Sequence, residues 1–241
     1  MKKNDSYEML GILGGLGPMA TVYFYEMLTE HTKALCDQDH INMIISSRAT
    51  TPDRTAFILG EQSENPLPIM ISEAERLVSA GADVIVLPCN TAHYFYDELS
   101  NATGVPIINI IEETIRFCVS KGMKKVGILA TEGTVKSGAY EKVCHEFGVK
   151  TVYPSKKSQK IINEIIYDKI KQGQAVDLEK FETVSSELIE QGCDTLILGC
   201  TELSLLKKNG NLGKEYTDSL EILAYVTITK CGKMPIGFSF C

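Results

Sequence analysis

The sequence predicts an α/β protein made of two similar parallel-sheet domains related by a pseudo-dyad, with the active site in the cleft between them. Three observations carry this. Short apolar runs alternate with amphipathic stretches of helical length, the pattern of βαβ units and a mostly parallel sheet. GADVIVLPCNTAH (81–93) returns as GCDTLILGCTEL (192–203), with Gly81 on Gly192, Asp83 on Asp194 and Cys89 on Cys200. MLGILGG (9–15) is matched by KVGILAT (125–131) at nearly the same offset. The expected division puts 1–112 plus 217–241 in the first domain, with Cys89, and 113–216 in the second, with Cys200.

Strands are expected at 8–13, 41–46, 84–88, 105–109, 125–130, 149–153 and 195–199, each a short run of β-formers. Helices are expected over 19–35, 67–80, 92–101, 112–121, 137–146, 158–172, 178–191 and 219–230. In 67–80, Ile71, Ala74, Leu77 and Val78 recur at helical spacing, and Gly81 is placed to end the run.

Composition sets the class. The chain has 241 residues, 44% hydrophobic and 23% charged, enough for a sizeable core. Its 24 Lys+Arg against 31 Asp+Glu give −7, and no basic stripe stands out, so nucleic acid and anionic membranes are not expected partners. No apolar run reaches the roughly 18–20 residues of a membrane span. Lys2-Lys3 ahead of MLGILGGLGPMA mimics a signal peptide, but Asp5, Glu8, four glycines and Pro18 interrupt it, so it reads as a first strand and loop of a cytoplasmic protein. The eight cysteines form no CxxC and no zinc spacing, and neither a metal nor a disulfide framework is expected.

Cys89 and Cys200 stand apart because ligands of open parallel sheets bind beyond the carboxyl ends of the strands, where both lie. Asn90-Thr91 and Thr201-Glu202 suit helix N-caps, so each thiol is expected at the positive end of a helix with its pKa lowered. Three chemistries fit a thiol there: nucleophilic attack by Cys89 assisted by His93, redox cycling, and two-base proton transfer. Only the last needs two equivalent groups on opposite sides of a cleft, and His93 has no counterpart, since Ser204 follows Cys200 at the same spacing. Symmetry favours two-base chemistry. GGLGPMAT (14–21) formally matches a dinucleotide fingerprint. The next strand lacks the acidic residue that would hold a ribose, so the loop reads as a tight turn presenting N–H groups. Arg54, in TPDRT after the second strand, is expected on a loop at the same rim, where it suits a carboxylate. Among Lys156, Lys157, Lys160, Lys169 and Lys171 the residues alone make no choice.

LGGLGPMAT, PDRTAFILG, LPCNTAH, the IEET after VPIIN, GILATEGTV and GCTEL together resemble the aspartate racemases, the cofactor-independent branch of the aspartate/glutamate racemase superfamily. The likeness runs from about residue 8 to about 225. It implies a homodimer that racemises a small acidic amino acid without a cofactor, using Cys89 and Cys200 as the acid/base pair. By the same resemblance Asn90, Thr91 and Ala92 contact the substrate carboxylate with Thr201 as mirror partner. Arg54 takes the side-chain carboxylate, Lys171 of IYDKIKQG is the family lysine, and Leu16 lends a backbone contact. Glu202 would orient groups around Cys200. Two departures are visible: EYTDSL (215–220) stands where a strand ending in Ile-Asp-Pro is common, and Pro235 and Gly237 break the tail KCGKMPIGFSFC. Rival readings are racemisation of glutamate or a broader set, a Cys–His hydrolase using Cys89 and His93, and a silent binding protein.

Overall fold

The apolar run after each Gly-x-Asp repeat forms a strand beside the centre of a sheet. The computed structural model describes residues 6–210, 212–238 and 240; Cys241 lies outside them. The first half contains β1 (Leu10–Gly14), α1 (Pro18–Glu30), β2 (Met43–Ser47), α2 (Arg54–Leu59), α3 (Leu67–Ser79), β3 (Val84–Val86), α4 (Tyr96–Thr103), β4 (Ile107–Ile108) and α5 (Ile110–Ser120). The second contains β5 (Lys125–Leu129), α6 (Glu132–Ser137), α7 (Ala139–Glu146), β6 (Lys150–Val152), α8 (Lys156–Glu164), α9 (Leu178–Glu190), β7 (Thr195–Leu198), α10 (Ser204–Lys208), β8 (Tyr216–Asp218) and α11 (Ser219–Lys230).

Both sheets are parallel, in the orders β2-β1-β3-β4 and β6-β5-β7-β8. The chain therefore reverses direction across the sheet between β1 and β3, and again between β5 and β7. Segments leaving such switch points open a crevice at the strand ends. They carry Leu16 and Cys89 in one half and Thr131 and Cys200 in the other.

The repeated aspartates have the same task in each half. Asp83 accepts the backbone N–H groups of Glu8 and Met9, at the entry to β1. Asp194 accepts those of Lys124 and Lys125, at the entry to β5. Each carboxylate thus pins the neighbouring strand and sets its register. The helices that follow the last strands are capped alike: Asn109 accepts from the N–H groups of Ile111 and Glu112, and Asp218 from that of Leu220. His93 and Ser204, unlike as residues, brace these same starts, His93 at Ile110 N–H and Ser204 at the Asp218 carboxylate.

Alternation along the strands divides the core in three. Leu10, Ile12, Val84, Val86, Val126, Ile128 and Ile197 point into one cluster shared by both halves. Leu13, Ile85 and Leu87 face a second cluster, and Leu129, Leu196 and Leu198 a third. Two helices cross between halves: α5 packs on α7 and β8, and α11 on α1 and α5. The segment after α11 folds back over the end of α1. Phe238 stacks on His31 with ring centroids 4.4 Å apart, and Ile236 N–H donates to His31 O at 2.8 Å. The helix ends at Lys230 with Gly232 in the left-handed region just past its cap, and the tail then turns onto the core.

Several expectations are corrected. The first helix stops at Glu30, and 137–146 begins only at Ala139, because Gly138 in the left-handed region separates α6 from α7. The stretch 158–172 is α-helical only to Glu164, then passes through a π turn at Ile165–Lys169 and a 3-10 turn at Ile170–Gln172. Residues 92–101 begin as a 3-10 turn, Thr91–Phe95. Arg54 opens a short helix, since Asp53 caps it by accepting from Ala56 N–H. EYTDSL supplies the eighth strand, β8, whose mixed polarity hid it. Among the described residues no helix is long and apolar enough to cross a membrane.

At the cleft rim α2 packs against α6, and a Cβ on Gly133 would lie 2.7 Å from Thr55 Cα. Gly133→Ala is expected to force these helices apart and destabilise the fold by about 1–3 kcal/mol, measured by urea unfolding. The two backbone N–H bonds hold the Asp194 carboxyl below its ordinary range. Its contribution to stability is present above that ordinary range and lost as pH falls through the lowered folded value. Asp194→Asn should therefore unfold at lower urea concentration near neutrality, with the difference from the parent shrinking in acid.

Candidate active site

Four strand-end segments meet around one small buried cavity. It is lined by Leu16, Asp53, Arg54, Thr55, Cys89, Asn90, Thr91, Thr131, Tyr167, Lys171, Cys200, Thr201 and Glu202. Of the residues expected from sequence, Cys89, Cys200, Leu16, Arg54, Asn90, Thr91, Lys171 and Thr201 come together here. Ala92 does not line it: its side chain is fully buried among Leu87, Phe95 and Leu99, and only its N–H approaches the Cys89 sulfur. The cavity is about 10 Å³, room for about one water molecule. Leu16, Asp53, Arg54, Lys171 and Glu202 also line a vestibule of about 570 Å³ that continues past Met19, Ile170 and Leu205.

Arg54 is held by its neighbours' backbone. Its Nη1 donates to Thr51 O at 3.2 Å and Pro52 O at 2.9 Å, and its Nη2 to Leu16 O at 2.7 Å. Nε is buried without a partner among the described residues. A buried donor left this way is costly, so an acceptor entering the cavity would gain from it. Lys171 reaches the cavity because the π turn re-aims the end of helix α8; its ammonium lies 4.3 Å from the Tyr167 ring centre.

The two thiols differ in surroundings. Cys200 Sγ donates to Glu202 Oε2 at 2.9 Å, and Glu202 Oε1 lies 3.9 Å from Lys171 Nζ. Burial pushes the Cys200 thiol well above its ordinary range and the Glu202 charge adds to this, against the pull of Lys171. Burial also raises Cys89, opposed first by Arg54. The expectation of lowered thiol pKa values is thus corrected. Desolvation outweighs the helix term, because a single 3-10 turn follows Cys89 and its first residues lack a side-chain cap.

Polar side chains beside the thiols tie the halves together. Asn90 Nδ2 donates to Ser219 Oγ at 3.0 Å, its Oδ1 accepts from Tyr140 at 2.8 Å, and Ser219 donates to Leu198 O. Thr201 donates to Pro88 O at 3.2 Å. Thr91 Oγ1 sits 3.1 Å from Thr131 Oγ1 and 2.8 Å from Thr134 Oγ1, and Thr55 donates to Thr131. His93 is spent structurally. Its Nδ1–H donates to Cys89 O at 2.9 Å, its Nε2 accepts from Ile110 N–H at 3.2 Å, and burial pushes its pKa down to about 4. Neither ring nitrogen is free for the Cys89 thiol, which removes the base of the Cys–His hydrolase.

Sequence reasoning missed Asp53, Thr55, Thr131 and Tyr167. Each signal was present: the first two flank Arg54, Tyr167 precedes Lys171 by four residues, and Thr131 ends the repeated GILAT. Among the described residues no group of three His, Cys, Asp or Glu could hold a metal ion.

Comparison with known proteins agrees with this architecture. Residues 13–226 match the family described as Asp/Glu/Hydantoin racemase. The chain is 31% identical over 227 residues to the broad specificity amino-acid racemase RacX of Bacillus subtilis (strain 168), covering 92% of this chain and 97% of that protein. It is 34% identical over 153 residues to the glutamate racemase of Aquifex pyrophilus, covering 61% of this chain and 58% of that one. The Picrophilus torridus aspartate racemase structure superposes with a TM-score of 0.83 at 32% identity, covering 95% and 96% of the two chains. With two parallel α/β halves, a shared cleft and a family match over most of its length, the chain belongs to the Asp/Glu/hydantoin racemase family, a family of isomerases.

Proposed function

We propose that this protein is an aspartate racemase that interconverts L- and D-aspartate by two-base proton transfer between Cys89 and Cys200, without pyridoxal phosphate. The observation that carries the reading is that two thiols, from corresponding ends of duplicated strands, line one buried cavity with Arg54 and Lys171. One cysteine, as thiolate, removes the α-proton; the other, as thiol, delivers a proton to the opposite face. The side-chain carboxylate fits Arg54, whose Nε–H is unused, and Lys171 supplies a second cation. The α-carboxylate fits the turn at Asn90, Thr91 and Ala92 and the mirror turn at Thr201. There the backbone N–H groups act, because the Asn90 amide is already engaged by Tyr140 and Ser219.

An amino-acid α-proton is far less acidic than a thiol, so the charge that develops on the carboxylate needs aimed donors, each worth about 3–4 kcal/mol. A cavity of about 10 Å³ is smaller than aspartate, so the reading requires its rim toward the vestibule to open for entry and close for chemistry. The reading includes a homodimer acting in the cytoplasm.

A second reading, racemisation of glutamate or a broader set of amino acids, is favoured by the vestibule of about 570 Å³, which leaves room for longer side chains. Similarity to a broad specificity racemase points the same way.

Reduced protein incubated with L-aspartate in D₂O is expected to yield α-deuterated D-aspartate, and Cys89→Ala and Cys200→Ala should each abolish racemisation. Inversion that survives either substitution would sink the two-base reading, and the same assay with glutamate separates the two substrate readings. Activity should also report the raised thiols. The rate rises with pH as the base thiol ionises and falls once the acid thiol also ionises, so the bell in kcat/KM should lie on the alkaline side of an ordinary cysteine's range.

A further inference from the structure

Two-base racemisation leaves the enzyme in a different protonation state from the one in which it began. If Cys89 starts as thiolate and Cys200 as thiol, turnover moves the Cys200 proton to carbon and leaves the substrate's proton on Cys89. Before the same enantiomer can react again, Cys89 must lose a proton and Cys200 must gain one.

The two thiols are not equally connected for that step. Cys200 Sγ donates to Glu202 Oε2 at 2.9 Å, whereas Cys89 is met by the Ala92 N–H and, among the described residues, hydrogen-bonds no carboxylate. Glu202 lines both the inner cavity and the vestibule, while neither thiol lines the vestibule. The absence of a Cβ on Gly17 makes room for the carboxylate, since Glu202 Oε1 occupies the place a Cβ would take. Lys171 Nζ, 3.9 Å from Oε1, balances its charge.

We propose, resting on the racemase reading of this site, that Glu202 is a proton relay that carries protons between vestibule water and Cys200 and so resets the cysteine pair between turnovers. After Cys200 has given up its proton, Glu202 takes one from water. It then passes a proton to the thiolate: an O–H bond breaks, an S–H bond forms, and the carboxylate returns to its starting state. No electrons change hands, and the proton that leaves Cys89 balances the one taken up.

The test is the product-inhibition pattern of wild type, Glu202→Gln and Glu202→Asp, measured in both directions with L- and D-aspartate and with the glutamate pair. Fast resetting in the wild type gives competitive product inhibition. In Glu202→Gln slow resetting is expected to make it noncompetitive and to lower kcat about tenfold, with kcat/KM changed by less than about threefold. Glu202→Asp keeps an ionisable group and should restore the competitive pattern. A Glu202→Gln enzyme with competitive inhibition and kcat within about threefold of wild type overturns the relay. So does an equal loss of kcat/KM in both variants with inhibition still competitive, the mark of a purely structural role. A wild type that racemises neither acid overturns the reading of the site and the relay with it.

Discussion

Two hydrogen-bonded crossings hold the ends of β3 and β7 against each other: Asn90 to Ser219, which in turn grips Leu198 O, and Thr201 to Pro88 O. Each starts at the residue after a cleft cysteine and ends on the other half of the chain. The thiols are therefore placed relative to one another by groups adjacent to them in sequence, with no long lever between. The shared apolar cluster between the sheets, and the helices α5 and α11 that cross between halves, support these crossings from behind.

Burial then dictates the chemistry of the site. A thiolate in a cavity of this size forfeits its water, and the raised thiols are the consequence. Arg54 and Lys171 offset part of that cost, and Glu202 adds to it at both thiols while hydrogen-bonding only Cys200. The halves are alike in fold and unlike in charge. Arg54 is immobilised by three backbone carbonyls, so its remaining donors have fixed directions, whereas Lys171, in the 3-10 turn that follows the π turn, is met by the Glu202 carboxylate and the Tyr167 ring.

The fold was legible because both of its main devices are local patterns repeated in one chain. Gly-x-Asp before an apolar run gave away the strand entries, and the later contacts of Asp83 and Asp194 explain why that residue recurs. The site was legible to the extent that its residues sit at strand ends: Leu16, Cys89 and Cys200. β8 and α6 were not, because Tyr216–Asp218 is short and polar and 132–137 has too few residues for a helical period. His93 was misleading: four residues from a cysteine it suggests catalysis, yet both ring nitrogens serve the backbone.

By itself the sequence determined the duplication, the parallel α/β class and the strand-end position of both cysteines, because hydrophobic period and turn residues act over a few neighbours. Only the tertiary structure decided that the two strand ends share one cavity, that His93 and the Asn90 amide are spent on scaffolding, and that burial, with Glu202 adding to it, outweighs a helix end at Cys200. Those outcomes depend on burial and on partners far away in the chain, and desolvation is a property of the whole surroundings rather than of any short segment.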